Sequence, residues 1–386
     1  MRLLESDAGK SGGSCPCRKE GENDITTASV KKALWFCAFA IATFILAGVW
    51  AQPARADVSY INVGHNQLYT DSEYEETVKV PGVTFDKAAN TLTLDNATIK
   101  CDSNGVWISG DNADVVTVVL KGKNTINWSN EFDDGIYSNT QLVFKGSGSL
   151  AINGVGNGIR GYNVIIKSGT YNISGCHQTG IEASKNVAIS GGKVNVTCES
   201  ADNYAIDCGY NGKISNSYKR LGKIRGRLGT GATFKSDGNT YKVRGYSEVK
   251  LVSYGSKKTK ANASTAKFGG YKYRVSAIGA DAFNTKAGHK VSSITLGSSV
   301  ESIGKRAFYK TSKLKTLNMR SAWSLFGYNS SSKVKTQGIA KGALSKCGKS
   351  GGKGLTVKTG GYGYVKKQTK KALVRVGLSS KAKVVR

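Results

Sequence analysis

The chain is poor in proline, in histidine and, over its second half, in acids. Proline occurs three times in 386 residues and never after Pro81. Set beside 48 glycines, that scarcity argues against collagen and proline-rich disorder, and assigns the turns to Gly and Asn. His65, His177 and His289 are the three histidines; they lie far apart with no nucleophile motif near them. That removes the usual histidine-assisted nucleophile from consideration. Cys15 and Cys17 have no second cysteine pair downstream, so a zinc site is not expected.

Acids are the most uneven absence. From residue 234 onward there are 4 Asp and Glu against 33 Lys and Arg, leaving 22 acids and 23 bases for the rest. A near-neutral half is therefore joined to a strongly cationic one, giving a net charge of +30. A cationic module implies an anionic partner: wall polymer, membrane surface, acidic polysaccharide or nucleic acid. The plainer reading is solubility, with lysine spread over exposed strands.

What the chain does have is a repeat, between residues 92 and 214. LTLDNATIKC from Leu92, VVLKGKNTINW from Val118, LVFKGSGSLAI from Leu142, VIIKSGTYNI from Val164 and VAISGGKVNV from Val187 line up. Each alternates apolar and polar residues, turns at Gly or Asn, and alternates again. The inward column predicted from this is Leu94, Leu120, Phe144, Ile166 and Ile189, about 22–26 residues apart. A second marker keeps the same rhythm: Gly105-Val106, Gly135-Ile136, Gly158-Ile159, Gly180-Ile181 and Ala205-Ile206. Such periods mean stacked coils. Period-2 alternation makes the elements strands, and no helical period lies between them. The expected fold is mainly β: a right-handed parallel β-helix of about five coils, with a cap over residues 57–90 to cover its open apolar end. Gly and Asn at the corners are expected for their tolerance of positive φ.

Upstream, Ala33 opens the apolar run ALWFCAFAIATFILAGVWA, preceded by Lys31 and Lys32 and closed by Gln52-Pro53-Ala54-Arg55-Ala56. The pattern predicts a signal peptide over 1–56 with an unusually long polar n-region, cleaved after Ala56; an uncleaved anchor is the alternative. The expected location is secreted or cell-surface, with no stable membrane span after processing. Five cysteines then remain. Cys198 and Cys208 could bridge one turn in an oxidising compartment, or all five pack as reduced apolar residues.

Two loops invite a ligand. Asp111 and Asp114 in one corner, with Glu131, Asp133 and Asp134 in the next acidic loop, would make a calcium site if the corners stack; otherwise they are solvated turns. No other cofactor is expected. Gly154-Val155-Gly156-Asn157-Gly158 opens no helix and reads as a coil corner, so no dedicated nucleic-acid site is expected there. Residues 215–233, basic and rich in glycine, break the rhythm and read as a linker or end cap.

From residue 234 a second pattern begins. Asp237-Gly238 and the KFGGYKY run read as hairpins between alternating strands. Ile278-Gly279-Ala280-Asp281-Ala282-Phe283 recurs as Ile303-Gly304-Lys305-Arg306-Ala307-Phe308, and degenerately as Ile339-Ala340-Lys341-Gly342-Ala343-Leu344. A short Leu/Ile strand follows each one. With the run ITLGSSVESIGKRAFYKTSKLKTLNM, residues 234–386 resemble the BspA-type leucine-rich repeats of bacterial surface proteins. The preceding half, over 57–214, resembles in repeat style the carbohydrate-binding domains of secreted proteins. These resemblances imply surface exposure and adhesion to glycans or host matrix proteins, and they transfer no catalytic residue.

The functional expectation is a non-catalytic protein that binds extended carbohydrate along the β-helix, with the basic module mediating adhesion. Exposed aromatics suit sugar faces. Trp107, Tyr137, Tyr162 and Tyr210 are the candidates, against the alternative that each packs in the core. Electrostatic attachment to anionic wall polymer, host protein or DNA is the second expectation. A calcium-dependent polysaccharide lyase is the third, with Arg160 as a base near Asp102, Glu182 and Asp207 at the same series of corners.

Overall fold

The computed structural model describes residues 58–72, 77–128, 133–328, 334–349, 352–360 and 366–386. The expected leader over 1–56 lies outside them. Among the described residues no helix is long and apolar enough to cross a membrane. The fold is mainly β, a parallel solenoid of about eleven turns.

The first part has three faces, each a ladder of parallel strands. One face stacks Thr91–Asp95, Val115–Lys121, Gln141–Gly146, then the second halves of Asn157–Ile166 and Thr179–Ile189, then Lys213–Asn216. The second stacks Thr98–Cys101, Lys123–Trp128, Ser149–Asn153, Thr170–Cys176, Lys193–Cys198 and Leu221–Arg225. The third stacks Val106–Ser109, Asp134–Ser138, the first halves of the two long strands, Tyr204–Cys208 and Arg227–Leu228. Each face therefore has six rungs, not five. Lys213–Asn216, Leu221–Arg225 and Arg227–Leu228 supply the sixth, largely from the stretch 215–233 expected as a linker or end cap.

Period-2 alternation puts one apolar set inward on every strand. On the third face Val106, Ile136, Ile159, Ile181, Ile206 and Leu228 form a buried column. On the first face the expected column slips by two residues. Leu120 is opposite Gly146, and Phe144 is opposite Val118. A two-residue slip keeps every side chain on its own face, so the pattern alone does not reveal it. Polar ladders run beside the apolar ones: Asn163 donates to Gln141 Oε1 at 3.1 Å, and Asn186 donates to Asn163 Oδ1 at 3.2 Å.

The glycine marker has a different cause from the one expected. Gly105, Gly135, Gly158 and Gly180 are not among the positive-φ residues. They are glycine because the rungs approach too closely. A Cβ on Gly158 would lie 2.4 Å from the Gly180 carbonyl oxygen and 2.4 Å from Ile173 Cγ2.

The solenoid opens on antiparallel pairs. Tyr60–Val63 runs antiparallel to both Asn66–Thr70 and Val106–Ser109, and Val83–Asp86 runs antiparallel to Thr91–Asp95. Reversing the direction ends the ladder and closes the apolar column.

At the far end the core continues without a break into the cationic part. Thr233–Ser236 and Asn239–Gly245 form the expected hairpin, with Asp237 and Gly238 at φ 47° and 80°. Thr265–Phe268 and Tyr271–Ile278 form the next, around Gly269 and Gly270 at 60° and 82°. Two left-handed residues match the twist of the flanking strands. Then Lys260–Ala263, Ser293–Leu296, Thr316–Asn318, Thr356–Lys358 and Lys383–Val385 stack in parallel. The recurring turns stack as well: Phe283 N donates to Ala307 O, and Phe308 N to Ala343 O. Phe283, Phe308 and Leu344 are all buried, so the third turn holds despite its leucine. Ahead of that turn, Phe326–Tyr328 pairs antiparallel with Val334–Thr336. A helix, Lys366–Arg375, seats Ala372 and Leu373 in the core of the last turn. No sequence expectation covered it.

Candidate functional site

The site is built from outward positions on the third face. Because its strands are parallel and in register, one residue from each rung falls in a single line. Trp107 is opposite Tyr137, Tyr137 opposite Arg160, Arg160 opposite Glu182, and Glu182 opposite Asp207. Four steps of about 4.8 Å give a run of about 19 Å. Each residue follows or precedes a buried Val or Ile, so the core that fixes the strand also fixes the column.

The aromatic end has three rings. Tyr60 and Trp107 have centroids 5.4 Å apart, Trp107 and Tyr137 6.1 Å, both edge to face. Trp107 is 38% exposed. The Arg160 guanidinium lies 5.6 Å from the Tyr137 ring. It also reaches carboxylates on two rungs, Asp134 Oδ2 and Glu182 Oε2, each at 3.8 Å. Asp134 is 5% exposed and accepts from Asn157 Nδ2 at 2.8 Å. Burial pushes its carboxyl up, opposed by that hydrogen bond and by Arg160. Burial also pushes Asp207 up to about 6, with neighbouring Glu182 adding to the rise. The column thus runs from apolar ring faces, through a guanidinium, to two adjacent carboxylates.

Of the four aromatics expected to bind sugar, Trp107 and Tyr137 belong to this column. Tyr162 and Tyr210 do not. They stand at the corner between the third and first faces, where Lys185 Nζ lies 5.8 Å from the Tyr162 ring and Tyr210 is fully exposed. Arg160, Glu182 and Asp207 do come together, but Asp102 does not join them. Asp102 sits at a different corner, where His65 Nε2 is 2.7 Å from its Oδ1.

The expected calcium corners do not stack. Asp111 and Asp114 follow the first strand of the third face, and Asp114 Oδ2 accepts from its own turn, from Asp111 N at 2.7 Å. Asp133 precedes the next strand and Asp134 opens it, stacked on the corner holding Asn104, whose Oδ1 accepts from Asp134 N at 2.9 Å. The two acidic turns therefore lie at opposite ends of the strands. Glu131 is outside the described residues. Among the described residues no three His, Cys, Asp or Glu side chains form a metal-holding group.

Cys198 and Cys208, the two cysteines that could have bridged one turn, lie on different faces. Cys198 is opposite Cys176 on the second face, and Cys208 is opposite Ala183 on the third. Among the described residues Cys176, Cys198, Cys208 and Cys347 are free thiols.

Sequence reasoning missed the sixth rung of the third face. There Arg227 is opposite Tyr204, 6% exposed, with its guanidinium 4.3, 3.9 and 5.3 Å from the rings of Tyr204, Tyr246 and Tyr271. The one trace of it in the sequence is Leu228, which follows Ile206 by 22 residues and keeps the rhythm.

Residues 76–218 match a family model described as carbohydrate-binding domain-containing protein. The span is less than half of the chain, and it contains the whole column from Trp107 to Asp207. No curated protein and no solved structure matches the chain. The solenoid half thus carries a carbohydrate-binding domain match, on a fold that presents a long flat face.

Proposed function

We propose that the protein is an exported, non-catalytic glycan-binding protein, and that an extended polysaccharide lies along the third face over Trp107, Tyr137, Arg160, Glu182 and Asp207. The observation that carries this reading is the in-register column itself, inside the matched span. Ring faces take the apolar C–H side of a pyranose. Arg160 and the carboxylates beyond it take hydroxyls, as charged partners that make the stronger hydrogen bonds. A flat surface of parallel strands suits a polymer, which supplies one sugar after another along the axis. The cationic stacked repeats, which resemble BspA-type leucine-rich repeats, mediate adhesion at the cell surface.

A glycan array of the chain lacking residues 1–56, followed by affinity electrophoresis, tests this. Retention by at least one extended polysaccharide, lost in a Trp107→Ala/Tyr137→Ala variant, is expected. Retention unchanged in that variant would sink the assignment of the face.

A second reading rests on Asp207. A carboxyl held near 6 beside a second carboxylate on the next rung is the arrangement from which acid–base pairs are made. On this reading the face cleaves the glycan it binds. Incubation with a broad polysaccharide panel, read by new reducing ends and by ultraviolet absorbance of unsaturated products, separates the two. Turnover abolished by Asp207→Asn supports cleavage; silence across the panel leaves binding alone.

A further inference from the structure

Two lysines in the cationic half occupy the same place in successive repeats. Lys310 follows Phe308-Tyr309 and Lys346 follows Leu344-Ser345. Both have left-handed backbones, φ 60° and 53°. Glycine adopts that conformation freely, while any L side chain there is strained. Glycine is used at other left-handed turn positions of these repeats, Gly342 and Gly348 among them. Lysine retained twice at a site where glycine is easier points to work done by the side chain.

Both lysines reach the same tyrosine. Lys310 Nζ and Lys346 Nζ each lie 5.6 Å from the Tyr309 ring centroid, and so does the Arg306 guanidinium. Among the described residues neither lysine has a carboxylate within ion-pair distance. Asp281, the acid of the adjacent turn, is taken by Arg306, which donates from Nε at 2.9 Å and from Nη2 at 2.7 Å. Asn284 Nδ2 donates to the same Asp281 at 3.1 Å, which leaves Asn284 Oδ1 to accept from His289 Nε2, also at 3.1 Å. A chain of four side chains therefore fixes the His289 ring.

Beside them is a cavity of about 480 Å³; the described residues of its wall include His289, Lys310, Ser312, Lys346, Cys347 and Ser379, with no acid among them. Two lysines share one wall, and the neighbouring acid is held elsewhere by arginine.

We propose that this cavity binds a tetrahedral oxyanion, the phosphate or sulfate ester of a polysaccharide. A planar carboxylate is matched by the guanidinium fork, and here that fork is committed to Asp281. The wall instead holds lysines and serines, whose ammonium and hydroxyl groups are donors without a preferred plane. The volume exceeds that of a bare ion and admits the sugar that carries it. That the anion is borne on a polysaccharide rests on the glycan-binding reading above; that the cavity takes the anion does not.

The test uses the full chain lacking residues 1–56, with Lys310→Gln/Lys346→Gln beside a control of equal charge loss, Lys242→Gln/Lys267→Gln. The probes are inorganic phosphate, inorganic sulfate, a phosphorylated, a sulfated and an uncharged polysaccharide, and duplex DNA. Titration calorimetry and the His289 ring resonances are the readouts. The expected result is ester-dependent binding weakened about tenfold or more by the cavity variant and less than about twofold by the control. The ester that binds tighter, phosphate or sulfate, identifies the source. Equal losses in both variants mean diffuse charge and overturn the site, as does the absence of any His289 shift with either inorganic anion. Tighter binding to DNA than to both ester polysaccharides overturns the polysaccharide assignment. Inorganic anions bound through Lys310 and Lys346 with no polymer bound would refute the glycan-binding reading while upholding the cavity.

Discussion

Arg227 places its guanidinium 3.9 Å from the centroid of the Tyr246 ring. The first residue belongs to the last rung of the three-faced solenoid, the second to the turn after Asn239–Gly245. Tyr204 closes the other side at 4.3 Å. Among the described residues two nitrogens of this buried guanidinium, Nε and Nη1, have no hydrogen-bond partner. Ring faces therefore hold the charge, and they tie the neutral half of the chain to its cationic half.

Arg227→Ala is expected to lower stability by about 2–4 kcal/mol, the range for losing a desolvated cation–π contact together with its packing. Arg227→Lys is expected to restore little, because the flat guanidinium stacks where a compact ammonium does not. Thermal denaturation of the three proteins checks both, and a lysine variant as stable as the parent would count against ring stacking.

Trp107→Ala and Tyr137→Ala are each expected to weaken glycan binding about three- to tenfold without unfolding the chain, since both point outward; that corresponds to about 0.6–1.4 kcal/mol, in the range of single aromatic contacts. Tyr210→Ala, at a corner off the column, is expected to leave binding unchanged. Affinity electrophoresis with circular dichroism on the same samples separates binding loss from misfolding.

Asp207 carries a pH signature. Its carboxyl is raised to about 6, chiefly by burial, so the folded chain holds that proton more tightly than the unfolded chain. Stability from this group is therefore present below the ordinary carboxylate range and is lost as pH rises through about 6. Asp207→Asn is expected to remove that slope and to stabilise the protein at neutral pH by roughly 1–2 kcal/mol, after allowance for solvent screening. Chemical denaturation across pH 4 to 8 reads it; an identical slope in the variant would exclude Asp207 as its source.

Gly158→Ala forces a methyl against the Gly180 carbonyl and Ile173. A destabilisation of about 1–3 kcal/mol is expected, as for overpacked cores. Ala205 ends the same line, so Ala205→Gly is expected to change stability by less than about 1 kcal/mol. Urea midpoints for the pair check the contrast.

Much of the fold is legible along the chain. Alternation in the segments around Leu94, Val118, Phe144, Ile166 and Ile189 marks strands because an inward face must be apolar on every rung, and recurrence every 22–26 residues marks stacking. Asp237-Gly238 marks a hairpin because few dipeptides take two left-handed conformations in succession. Arg227 shows the limit. Its rung has one apolar residue where earlier rungs have several, so the local signal falls below that of a linker, and only pairing with Tyr204–Cys208 makes it a strand.

The candidate site was legible residue by residue and not as a site. Trp107, Tyr137 and Arg160 stood out by type, yet Tyr162 and Tyr210 stood out equally, and the acidic turns at Asp114 and Asp133 looked adjacent. What separates them is the face on which each rung presents its residue. One residue more or less in a corner moves a side chain from a flat face to an edge.

The order of apolar and polar residues by itself determined that this chain stacks strands, because burial of alternate side chains is a local property repeated along the sequence. Which residues share a line was decided only by tertiary structure. The length of each corner sets the register between rungs, and register is a relation between segments about two dozen residues apart that no single segment contains.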